Sequence, residues 1–449
     1  MLNVSTQKSH AHSEIGKARS EANITVTFAA YDWPNNVCGP ATWISRLLPD
    51  LHRFGITARC LLMCWGQPGP LLSALQNSGV ECDWVVCEGS TESRIDWIIN
   101  RLAEHPAHVF VPNLVVPALH AAAIVRQSGI STVGVLHSDD SFYRAVCDVF
   151  VTGRRSDALT DLVCVSRQIE EQTKRMNVAS TAIRRIPYGV PIPNSVTRNR
   201  TDGLRIAYVG RLVEEQKRIS DVTRALCQAV IDIPGTTATI FGDGPDRQNV
   251  ELILSEHAPD INVKLAGRVD SSEIQDKLID HDIIVLLSDY EGLPIAILEA
   301  MACGVVPVCL EMNSGIRELV EHNVNGLVVS DRMASFMEAI RRLNNDRSLL
   351  ERLSIAARSR IENENSVAMN VQNWAKLLSN ITDGKTTTNL LKRPRKYDLA
   401  AVHPMLAAED HRAAEPHLLS QLYSGSRLLV GRLKKKIIKL SHGRQGDRH

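Results

Sequence analysis

The feature that most constrains this chain is the alternation of short apolar segments with segments of helical length, starting at Ile24. Segments that are apolar along their whole length are typical of strands in a parallel sheet with helices on both faces. The first half of the chain is therefore predicted to form an α/β domain around such a sheet. Its predicted strands are ITVTFAA (24–30), ITARCLLM (56–63), CDWVV (82–86), HVFVP (108–112), STVGVL (131–136) and DLVCVS (161–166).

The alternation stops once and then restarts. RRIPYGVPIPNSVTRNRTDG (184–203) contains three prolines and two glycines and is the best candidate for a linker. Two tandem Rossmann-like domains with a cleft between them are therefore predicted, with ligands bound at the carboxyl ends of the strands. The predicted strands of the second domain are LRIAYVG (204–210), TATIFG (237–242), INVKLAG (261–267), IIVLLS (283–288), VVPVCL (305–310) and GLVVS (326–330).

These patterns divide the 449 residues into six segments. They are a polar N-terminal extension (1–22), a first Rossmann-like domain (23–187), a linker (188–203), a second Rossmann-like domain (204–365), a C-terminal helix (366–383) and a basic tail (384–449).

Composition excludes several classes of protein. The net charge of +1 gives no reason to expect nucleic acid as a partner. The 10 cysteines form no C-x-x-C pair, which favours reduced thiols over disulfides or zinc ligands. Residues 1–22 lack the apolar core of a signal peptide, and the most apolar long stretch (108–125) is interrupted by two prolines. A cytoplasmic protein is predicted.

Two carboxylates stand out in SDYEGLPIAILEAMACGVVPV (288–308). Glu299 lies on an apolar helix, predicted from Pro294 to Cys303, that contains no Lys or Arg to pair with it. Burial of an unpaired carboxylate is costly. Either this face of the helix is solvated, or Glu299 accepts hydrogen bonds from a ligand such as a sugar or ribose. Glu291 precedes the same helix.

Cations follow the first strand of the second domain. Gly210 ends that strand, and Arg211 and Lys217 lie in the next loop. Two cations there could neutralise a diphosphate, with Arg as a planar fork and Lys as a point charge. The alternative is a solvated pair balanced by Glu214 and Glu215.

Other strand ends carry weaker signals. Gly242 and Gly244 in FGDGPDR allow either close approach of a ligand to the backbone or a simple turn. The acidic pair of Asp280-His281-Asp282 resembles a metal-binding motif, but it precedes its strand and so lies at the wrong end of the sheet. No metal site is predicted.

The first domain offers one histidine and one glycine near strand ends. His137 directly follows STVGVL, where it suits proton transfer or polar recognition, or is a structural histidine with satisfied hydrogen bonds. Gly39 and Pro40 open a helix whose N–H groups attract phosphate, or they mark an ordinary loop. Ser166 is predicted to cap a helix.

Five motifs in order resemble the retaining, nucleotide-sugar-dependent glycosyltransferases of family 4, which have the GT-B fold. They are YVGRL…K, FGDGP, AGRV, SDYEGLPIAILEAMACGVVPV and SGIRELVEHNVNGLVV. The resemblance covers about residues 23–381 and is most specific over 204–330. It implies that the first domain (23–187) is the acceptor-side domain and that the second (204–365) binds the donor nucleotide sugar. Glu291 and Glu299 match the E-x7-E signature of that family.

The resemblance implies transfer of a sugar, with retention of configuration, from a nucleoside diphosphate sugar to a glycan or lipid-linked acceptor. The expected process is cell-envelope or exopolysaccharide biosynthesis, and neither a cofactor nor a metal is expected. A sugar-nucleotide epimerase of the same fold and a catalytically silent sugar-nucleotide-binding protein are the alternatives.

The resemblance also implies roles for individual residues. Glu299 would hold the ribose hydroxyls, and Arg211 and Lys217 would stabilise the departing diphosphate. Glu291 and the backbone of Gly292, Leu293 and Pro294 would contact the donor sugar, and His137 would lie beside the reacting sugar. Gly39 would approach the phosphates, and Arg268 and Val269 would lie beside the base. Gly210, Gly242 and Gly244 would belong to the loops that bind the donor. The sequence departs from the family where Pro40 removes an N–H and where Arg218 replaces a common glycine.

Residues 427–444 of the tail contain seven basic residues and no acid, interleaved with apolar ones. A basic amphipathic helix can lie on anionic lipid. This pattern predicts docking at the inner face of the membrane, and a solvated or domain-packed helix is the alternative.

Overall fold

The computed structural model describes residues 24–34, 36, 38–178, 180–196, 203–256, 261–312, 314–383, 391, 393–394, 396–408 and 410. Two parallel sheets organise these residues. The predicted fold class, two Rossmann-like α/β domains in tandem, is confirmed.

The first domain contains seven parallel strands in the spatial order β3-β2-β1-β4-β5-β6-β7. The strands are β1 (Ile24–Asp32), β2 (Ile56–Cys64), β3 (Glu81–Val86), β4 (Val109–Asn113), β5 (Ser131–Leu136), β6 (Asp161–Cys164) and β7 (Ala182–Arg185). The helices are α1 (Gly39–Leu47), a 3-10 helix (Leu48–Phe54), α2 (Pro70–Asn77), α3 (Thr91–Glu104), α4 (Val116–Gln127), α5 (Ser141–Phe150) and α6 (Arg167–Lys174).

The second domain contains six parallel strands in the order β10-β9-β8-β11-β12-β13. The strands are β8 (Arg205–Val209), β9 (Thr237–Phe241), β10 (Val263–Gly267), β11 (Ile283–Leu286), β12 (Val306–Leu310) and β13 (Leu327–Val329). The helices from here to the last described one are α7 (Glu214–Lys217), α8 (Ile219–Asp232), α9 (Arg247–Ser255), α10 (Ile274–Leu278), α11 (Ile295–Ala302), α12 (Ile316–Leu319), α13 (Ala334–Asn345), α14 (Arg347–Glu364) and α15 (Val367–Thr382).

β7 is the strand that the apolar pattern did not predict. It pairs only with β6 at the edge of the first sheet, and three of its four residues are exposed. Its last two residues are Arg184 and Arg185, which fell inside the predicted linker segment 184–203. An edge strand needs no apolar run because one side of it faces solvent.

Side-chain caps explain several helix starts. The Ser166 hydroxyl accepts a hydrogen bond from the Ile169 N–H, so the predicted cap of α6 is confirmed. Asp140 accepts from two N–H groups at the start of α5. Ser366 does the same for Met369 at the start of α15. Such caps satisfy donors that a helix leaves free at its first turn.

The chain crosses between the domains twice, and the two crossings are hydrogen-bonded to each other. Val190 in the first crossing accepts from the Val367 N–H and donates to the Asn365 carbonyl. After the second crossing, α15 packs on the first domain, where Trp374 lies 5.8 Å from Phe28 and 5.4 Å from Trp43 between ring centroids. The first-domain core therefore includes a helix that follows the second domain in sequence.

The described part of residues 391–410 also contacts the first domain. Arg393 and Tyr397 both bond to Asp96 of α3. Asp410 accepts from the Thr91 hydroxyl and contacts His120 of α4. The predicted membrane-docking segment, 427–444, lies outside the described residues. Within those residues, none of the helices is both long and apolar enough to cross a bilayer.

Candidate active site

The carboxyl ends of the two sheets face each other across the domain interface, and two predicted glycines lie where the domains touch. A Cβ atom added to Gly292 would be 2.0 Å from the His137 carbonyl oxygen. One added to Gly39 would be 3.4 Å from Ile295 Cδ1, in the first turn of α11. The loop before α11 therefore meets the first domain at a position where only glycine fits.

Glu299 is buried, and its partner is a protein side chain. Nη2 of Arg46, in the last turn of α1, lies 2.5 Å from Glu299 Oε1 and 3.3 Å from the Ser271 carbonyl oxygen. The predicted alternative of a solvated helix face is wrong, and the other alternative, a ligand, did not foresee this protein cation. Contact of Glu299 with ribose hydroxyls stays a prediction. The pattern around Glu299 shows only the residues of its own helix, whereas the partner precedes Glu299 by 253 residues. The one available signal was an arginine in the otherwise uncharged GPATWISRL helix.

Burial dominates the electrostatics of this ion pair. Desolvation raises the pKa of Glu299, and the Arg46 guanidinium opposes that rise through charge and hydrogen bonding. Nη1 of Arg46 is buried and has no hydrogen-bond partner among the described residues. One donor of the guanidinium thus remains available beside the Glu299 carboxylate.

The second acid is held in the same way. Lys217 Nζ lies 2.5 Å from Glu291 Oε1, and the two side chains are only 12% and 9% exposed. Arg211 is exposed and donates to Gln216 Oε1 at 3.2 Å. Lys217 therefore points into the site, whereas Arg211 lies at its rim.

The alternative of a solvated cation pair balanced by Glu214 and Glu215 does not describe this arrangement. Glu214 accepts from the Ser220 N–H, and Glu215 accepts from the Tyr290 hydroxyl. Arg218, the position at which the resemblance led us to expect glycine, adopts a left-handed conformation with φ of 51°. Its guanidinium pairs with Asp289 at 2.6 Å.

The glycines predicted in the donor-binding loops lie where two loops of the second domain are in backbone contact. A Cβ on Gly242, whose φ is 148°, would be 1.9 Å from the Gly210 carbonyl oxygen. A Cβ on Gly244 would be 2.4 Å from the Leu212 carbonyl oxygen. The need for glycine at these positions is thus explained by contact between backbones. Contact of these glycines with a donor stays a prediction.

His137 is buried between two side chains of the first domain. Its Nε2 lies 2.6 Å from Asn113 Oδ1, and its Nδ1 bonds to the Tyr188 hydroxyl. Because the Asn113 oxygen can only accept, Nε2 carries the proton and Nδ1 accepts from Tyr188. Burial lowers the pKa of His137 to about 3, so the ring is neutral at pH 7. A role in the reaction stays a prediction, since both ring nitrogens are engaged.

The rest of the predicted loop precedes α11. Leu293 is buried, and the Gly292 carbonyl accepts from the Gly315 N–H at 2.9 Å. Pro294 is extended, with ψ of 110°, so α11 begins one residue later than predicted. At the end of β10, Arg268 is exposed and Val269 is half-buried.

Neither metal ligands nor disulfides were found among the described side chains. All ten cysteines are free thiols, and no cluster of three His, Cys, Asp or Glu residues occurs in the described ranges. Asp282 Oδ2 accepts from the Arg205 N–H at 2.8 Å, and His281 Nδ1 lies 2.9 Å from the Lys277 carbonyl oxygen. These two members of the acidic motif thus contact backbone groups.

The second domain is similar to a known protein family. Residues 194–360 match the family model "Glycosyl transferases group 1". The match includes Arg211, Lys217, Glu291 and Glu299.

Two curated relatives extend the comparison. Glycogen synthase from Mycobacterium tuberculosis is 28% identical over 279 residues, covering 60% of this chain and 63% of the relative. The amylovoran biosynthesis glycosyltransferase AmsK from Erwinia amylovora is 34% identical over 169 residues, covering 36% of this chain and 41% of the relative. The alignments span less than two thirds of either relative.

The fold is shared with solved structures. HepE from Anabaena, in a crystal structure with UDP and glucose, superposes with a TM-score of 0.65 at 16% identity. The superposition covers 79% of this chain and 99% of HepE. At this identity the likeness establishes the two-domain fold.

Proposed function

We propose, from the group 1 glycosyl transferase match of residues 194–360, that this protein transfers a sugar from a nucleoside diphosphate sugar to a glycan or lipid-linked acceptor. We place the reaction in exopolysaccharide or cell-envelope biosynthesis, because AmsK is named for amylovoran biosynthesis and TuaC from Bacillus subtilis, 26% identical over 248 residues, is named for teichuronic acid biosynthesis. The finer assignment is to family 4, with retention of anomeric configuration.

One observation carries the proposal. At the interface, Glu291 and Glu299 are each buried and each held at 2.5 Å by a cation, Lys217 and Arg46 respectively. Each carboxylate has lone pairs beyond those that its cation uses, so it can accept further hydrogen bonds while the ion pair stays intact. Ribose and hexose hydroxyls can donate such bonds, and the adjacent cations suit a diphosphate.

The reaction joins an acceptor hydroxyl oxygen to the anomeric carbon of the donor sugar. The bond between that carbon and the diphosphate oxygen breaks, and its electron pair stays on the diphosphate. The hydroxyl proton passes to the departing diphosphate. Attack on the face from which the diphosphate leaves retains the configuration and needs no carboxylate nucleophile.

The chain's own groups stabilise the charge that develops on the diphosphate. Lys217 and Arg211 supply fixed positive charge, and the N-terminus of α11 lies directly across from Gly39. Preorganised donors of this kind lower the barrier most where water is excluded. The contact between Gly292 and His137 provides that exclusion on the donor-sugar side.

The proposal is tested by thermal shift with a panel of UDP-, GDP-, ADP- and dTDP-sugars, followed by assays of nucleoside diphosphate release with and without acceptor. A ligand at 100 times its Kd adds about 2.7 kcal/mol to the free energy of unfolding, so one donor class should raise Tm by several degrees. Release that depends on acceptor indicates transfer, whereas an epimerase leaves the diphosphate attached to the sugar. Failure of every nucleotide sugar to raise Tm would reject the proposal.

Removal of either cation should slow turnover. We expect Lys217→Ala and Arg211→Ala to lower kcat by about 10²-fold, because comparable charge-stabilising donors contribute that much. Arg218→Gly is the matched control, since it removes a neighbouring cation and relieves a left-handed conformation. Its kcat should be unchanged. Normal rates in both alanine variants would contradict the proposed role.

Docking of residues 427–444 on an anionic membrane belongs to the same proposal and rests on the sequence pattern alone. The full chain should sediment with phosphatidylglycerol-containing liposomes, and a chain that ends at residue 424 should not. Equal sedimentation of the two chains would reject membrane docking and leave the proposed activity untouched.

A further inference from the structure

A cavity of about 630 Å³ lies between the domains, beside the two crossings of the chain. It is lined by the end of β7, the start of α6, α12, the end of α14 and one face of α15. Pro187 of the first crossing and Asn365 of the second also line it. Apart from Leu293, the lining that the structure describes includes none of the residues predicted for the donor site. We call this cavity the interdomain groove.

The interdomain groove and the proposed donor site share the loop that precedes α11. The Leu293 side chain lines the groove, whereas Glu291, two residues earlier, pairs with Lys217. Gly315 packs against this loop and against the first domain, since an added Cβ would be 2.9 Å from Leu293 Cδ1 and 3.1 Å from Ser166 Cβ. The two sites are thus neighbours with different linings.

The charge of the groove is strongly positive. Its described lining contains five cationic side chains and two carboxylates, a formal excess of three positive charges. The cations are Arg167, Arg184, Arg185, Arg360 and Lys376, and the acids are Glu318 and Glu364. The excess is local, because the net charge of the whole chain is only +1. A cleft lined mainly by one sign of charge attracts ligands of the opposite sign.

Both acids of the groove are already engaged by protein groups. Glu318 accepts from the Arg167 N–H at 2.9 Å, and its Oε2 lies 3.2 Å from Arg185 Nη1. Glu364 Oε1 lies 2.9 Å from Arg360 Nη1. Burial raises the pKa of Glu318, and the Arg167 N–H and three surrounding arginine charges oppose that rise. One carboxylate therefore lies among three guanidinium groups.

Other donors of the groove have no acidic partner in the part of the chain that the structure describes. Lys376 and the guanidinium of Arg167 are exposed and form no ion pair there. Asn373 and Asn380 lie three and four residues from Lys376, on the same face of α15. The groove thus combines unpaired cations with neutral amides, which can form hydrogen bonds with hydroxyl groups.

We propose that the interdomain groove binds a phosphate ester of a small polyhydroxylated molecule, with the phosphate at Arg167 and Lys376 and the hydroxyls at the amides of α15. A guanidinium fork and an ammonium group both suit a phosphate dianion. The volume of the groove is that of a site for a small ligand. The inference goes beyond the proposed sugar transfer and does not depend on it.

The position of the groove gives such a ligand a regulatory role. Arg167 and Arg185 belong to the first domain, Arg360 belongs to the second, and Lys376 belongs to the helix that follows the second crossing. A phosphate ester held by these groups links both domains and contacts the crossings between them. Its binding therefore stabilises this arrangement of the domains by mass action.

The test measures binding of ribose 5-phosphate to the full chain by isothermal titration calorimetry at constant ionic strength. The parent protein should bind ribose 5-phosphate saturably, and ribose, the uncharged control, should not bind. Arg167→Gln and Lys376→Gln should each raise the Kd by about tenfold, because each removes one charge-assisted hydrogen bond. Both side chains are exposed, and Arg167→Gln keeps the backbone N–H that Glu318 uses. The Tm without ligand should therefore match that of the parent.

Controls separate the groove from general charge effects and from the donor site. Arg175→Gln removes a cation next to the end of the same helix, outside the groove lining, and should leave the Kd unchanged. Lys217→Ala should also leave it unchanged, whereas a phosphate bound at the proposed donor site would be lost. Glucuronate, a monoanion with similar hydroxyls, should bind about tenfold more weakly than ribose 5-phosphate.

Four results would overturn the inference. They are no saturable binding by the parent, an equal Kd in the parent and in Arg167→Gln combined with Lys376→Gln, loss of binding in Lys217→Ala, and binding of glucuronate as tight as that of ribose 5-phosphate. None of them affects the proposed sugar transfer, which is judged by nucleotide sugars. Failure of nucleotide sugars to raise Tm would likewise reject the transfer and leave the interdomain groove standing.

Discussion

At the scale of single residues, the site is organised by charges that come from different domains. Arg46 belongs to the first domain, yet it neutralises Glu299 of the second and contacts the Ser271 carbonyl oxygen beside it. The ion pair is buried, so removal of one member leaves an uncompensated charge in a poorly solvated place. Arg46 therefore contributes to folding and to the proposed donor site together.

Loss of Arg46 should destabilise the protein more at high pH than at low pH. Arg46→Ala is expected to lower the free energy of unfolding by about 3 kcal/mol, the usual cost of breaking a buried pair. Burial already raises the pKa of Glu299, and without Arg46 it should rise further. The folded state then binds more protons than the unfolded state, so stability returns as pH falls. Urea unfolding at pH 6 and pH 8 measures the difference.

A second variant and a surface pair test this explanation. Arg46→Ala combined with Glu299→Gln should be more stable than Arg46→Ala alone, since the unpaired charge is gone. Arg53→Ala, which breaks an exposed pair with Asp50, should cost less than about 1 kcal/mol. Equal losses in the free energy of unfolding for Arg46→Ala and Arg53→Ala would show that the buried pair contributes no more to stability than the exposed pair.

His137 makes the protein sensitive to acid. Its folded pKa of about 3 lies below the ordinary value of 6.5 because the ring is buried, so the unfolded state binds the proton more readily. The stability linked to the neutral ring is complete above about pH 6.5 and is lost as pH falls towards 3, at about 1.4 kcal/mol per pH unit. The free energy of unfolding should thus fall by about 2 kcal/mol between pH 6.5 and pH 5.

Denaturant titrations at several pH values check this prediction. A His137→Asn variant should lose that pH dependence, whatever its absolute stability. Replacement of the exposed His105 by Asn provides the control and should keep the parent's pH dependence. If the parent and His137→Asn show the same pH dependence of stability, another titratable group causes it.

At the scale of elements, the two crossings between the domains form a hydrogen-bonded hinge. Val190 pairs with the chain around Ser366, and the Asn365 and Asn370 amides donate to carbonyls of the first crossing. Backbone hydrogen bonds hold the two segments side by side, so a displacement of one segment would displace the other. The domain interface is therefore fixed at its hinge as well as at its ion pairs.

Gly189 should tolerate no side chain at this hinge. A Cβ there would be 2.5 Å from the Ser366 carbonyl oxygen and 2.7 Å from Asn370 Cβ. Gly189→Ala is expected to lower the free energy of unfolding by about 1–3 kcal/mol, since backbone must move to relieve the overlap. Calorimetry measures the change, and Ser195→Ala in the exposed part of the same crossing should have no effect. A parent-like Tm for Gly189→Ala would mean that the hinge backbone moves freely.

At the scale of the whole molecule, the first domain includes residues that follow the second domain in sequence. Trp374 of α15 is fully buried against Phe28 and Trp43, and Asp410 is buried against α3 and α4. The two domains are therefore not independent segments of sequence. The core of the first domain includes residues beyond 366.

Removal of the Trp374 side chain should show that the first domain depends on α15. Trp374→Ala is expected to cost about 3–5 kcal/mol, as is usual for a large aromatic removed from a core. Because the loss falls on the first domain, limited proteolysis should cut residues 24–185 earlier than the rest. Trp84→Ala, on an exposed face of β3, is the control and should leave both Tm and the cleavage pattern unchanged. Early cleavage confined to the second domain would contradict the assignment of α15 to the first.

Most of the fold could be predicted from local patterns. Strands such as β5, β11 and β12 are buried along their whole length, so they must be apolar on both faces and are visible as continuous runs. β7 was not predicted because it is short, exposed and ends in two arginines. The positions of Glu291 and Lys217 at strand ends were also visible in the sequence, but their 2.5 Å contact was not.

The sequence by itself determined the two α/β domains and the ends of the strands where a site must lie, because burial and strand pairing leave periodic, local signals. Tertiary structure alone decided that Arg46 pairs with Glu299, that His137 is neutral and engaged at both nitrogens, and that α15 belongs to the first domain. These facts join residues far apart in the chain. Their energies come from packing and desolvation, which no local pattern records.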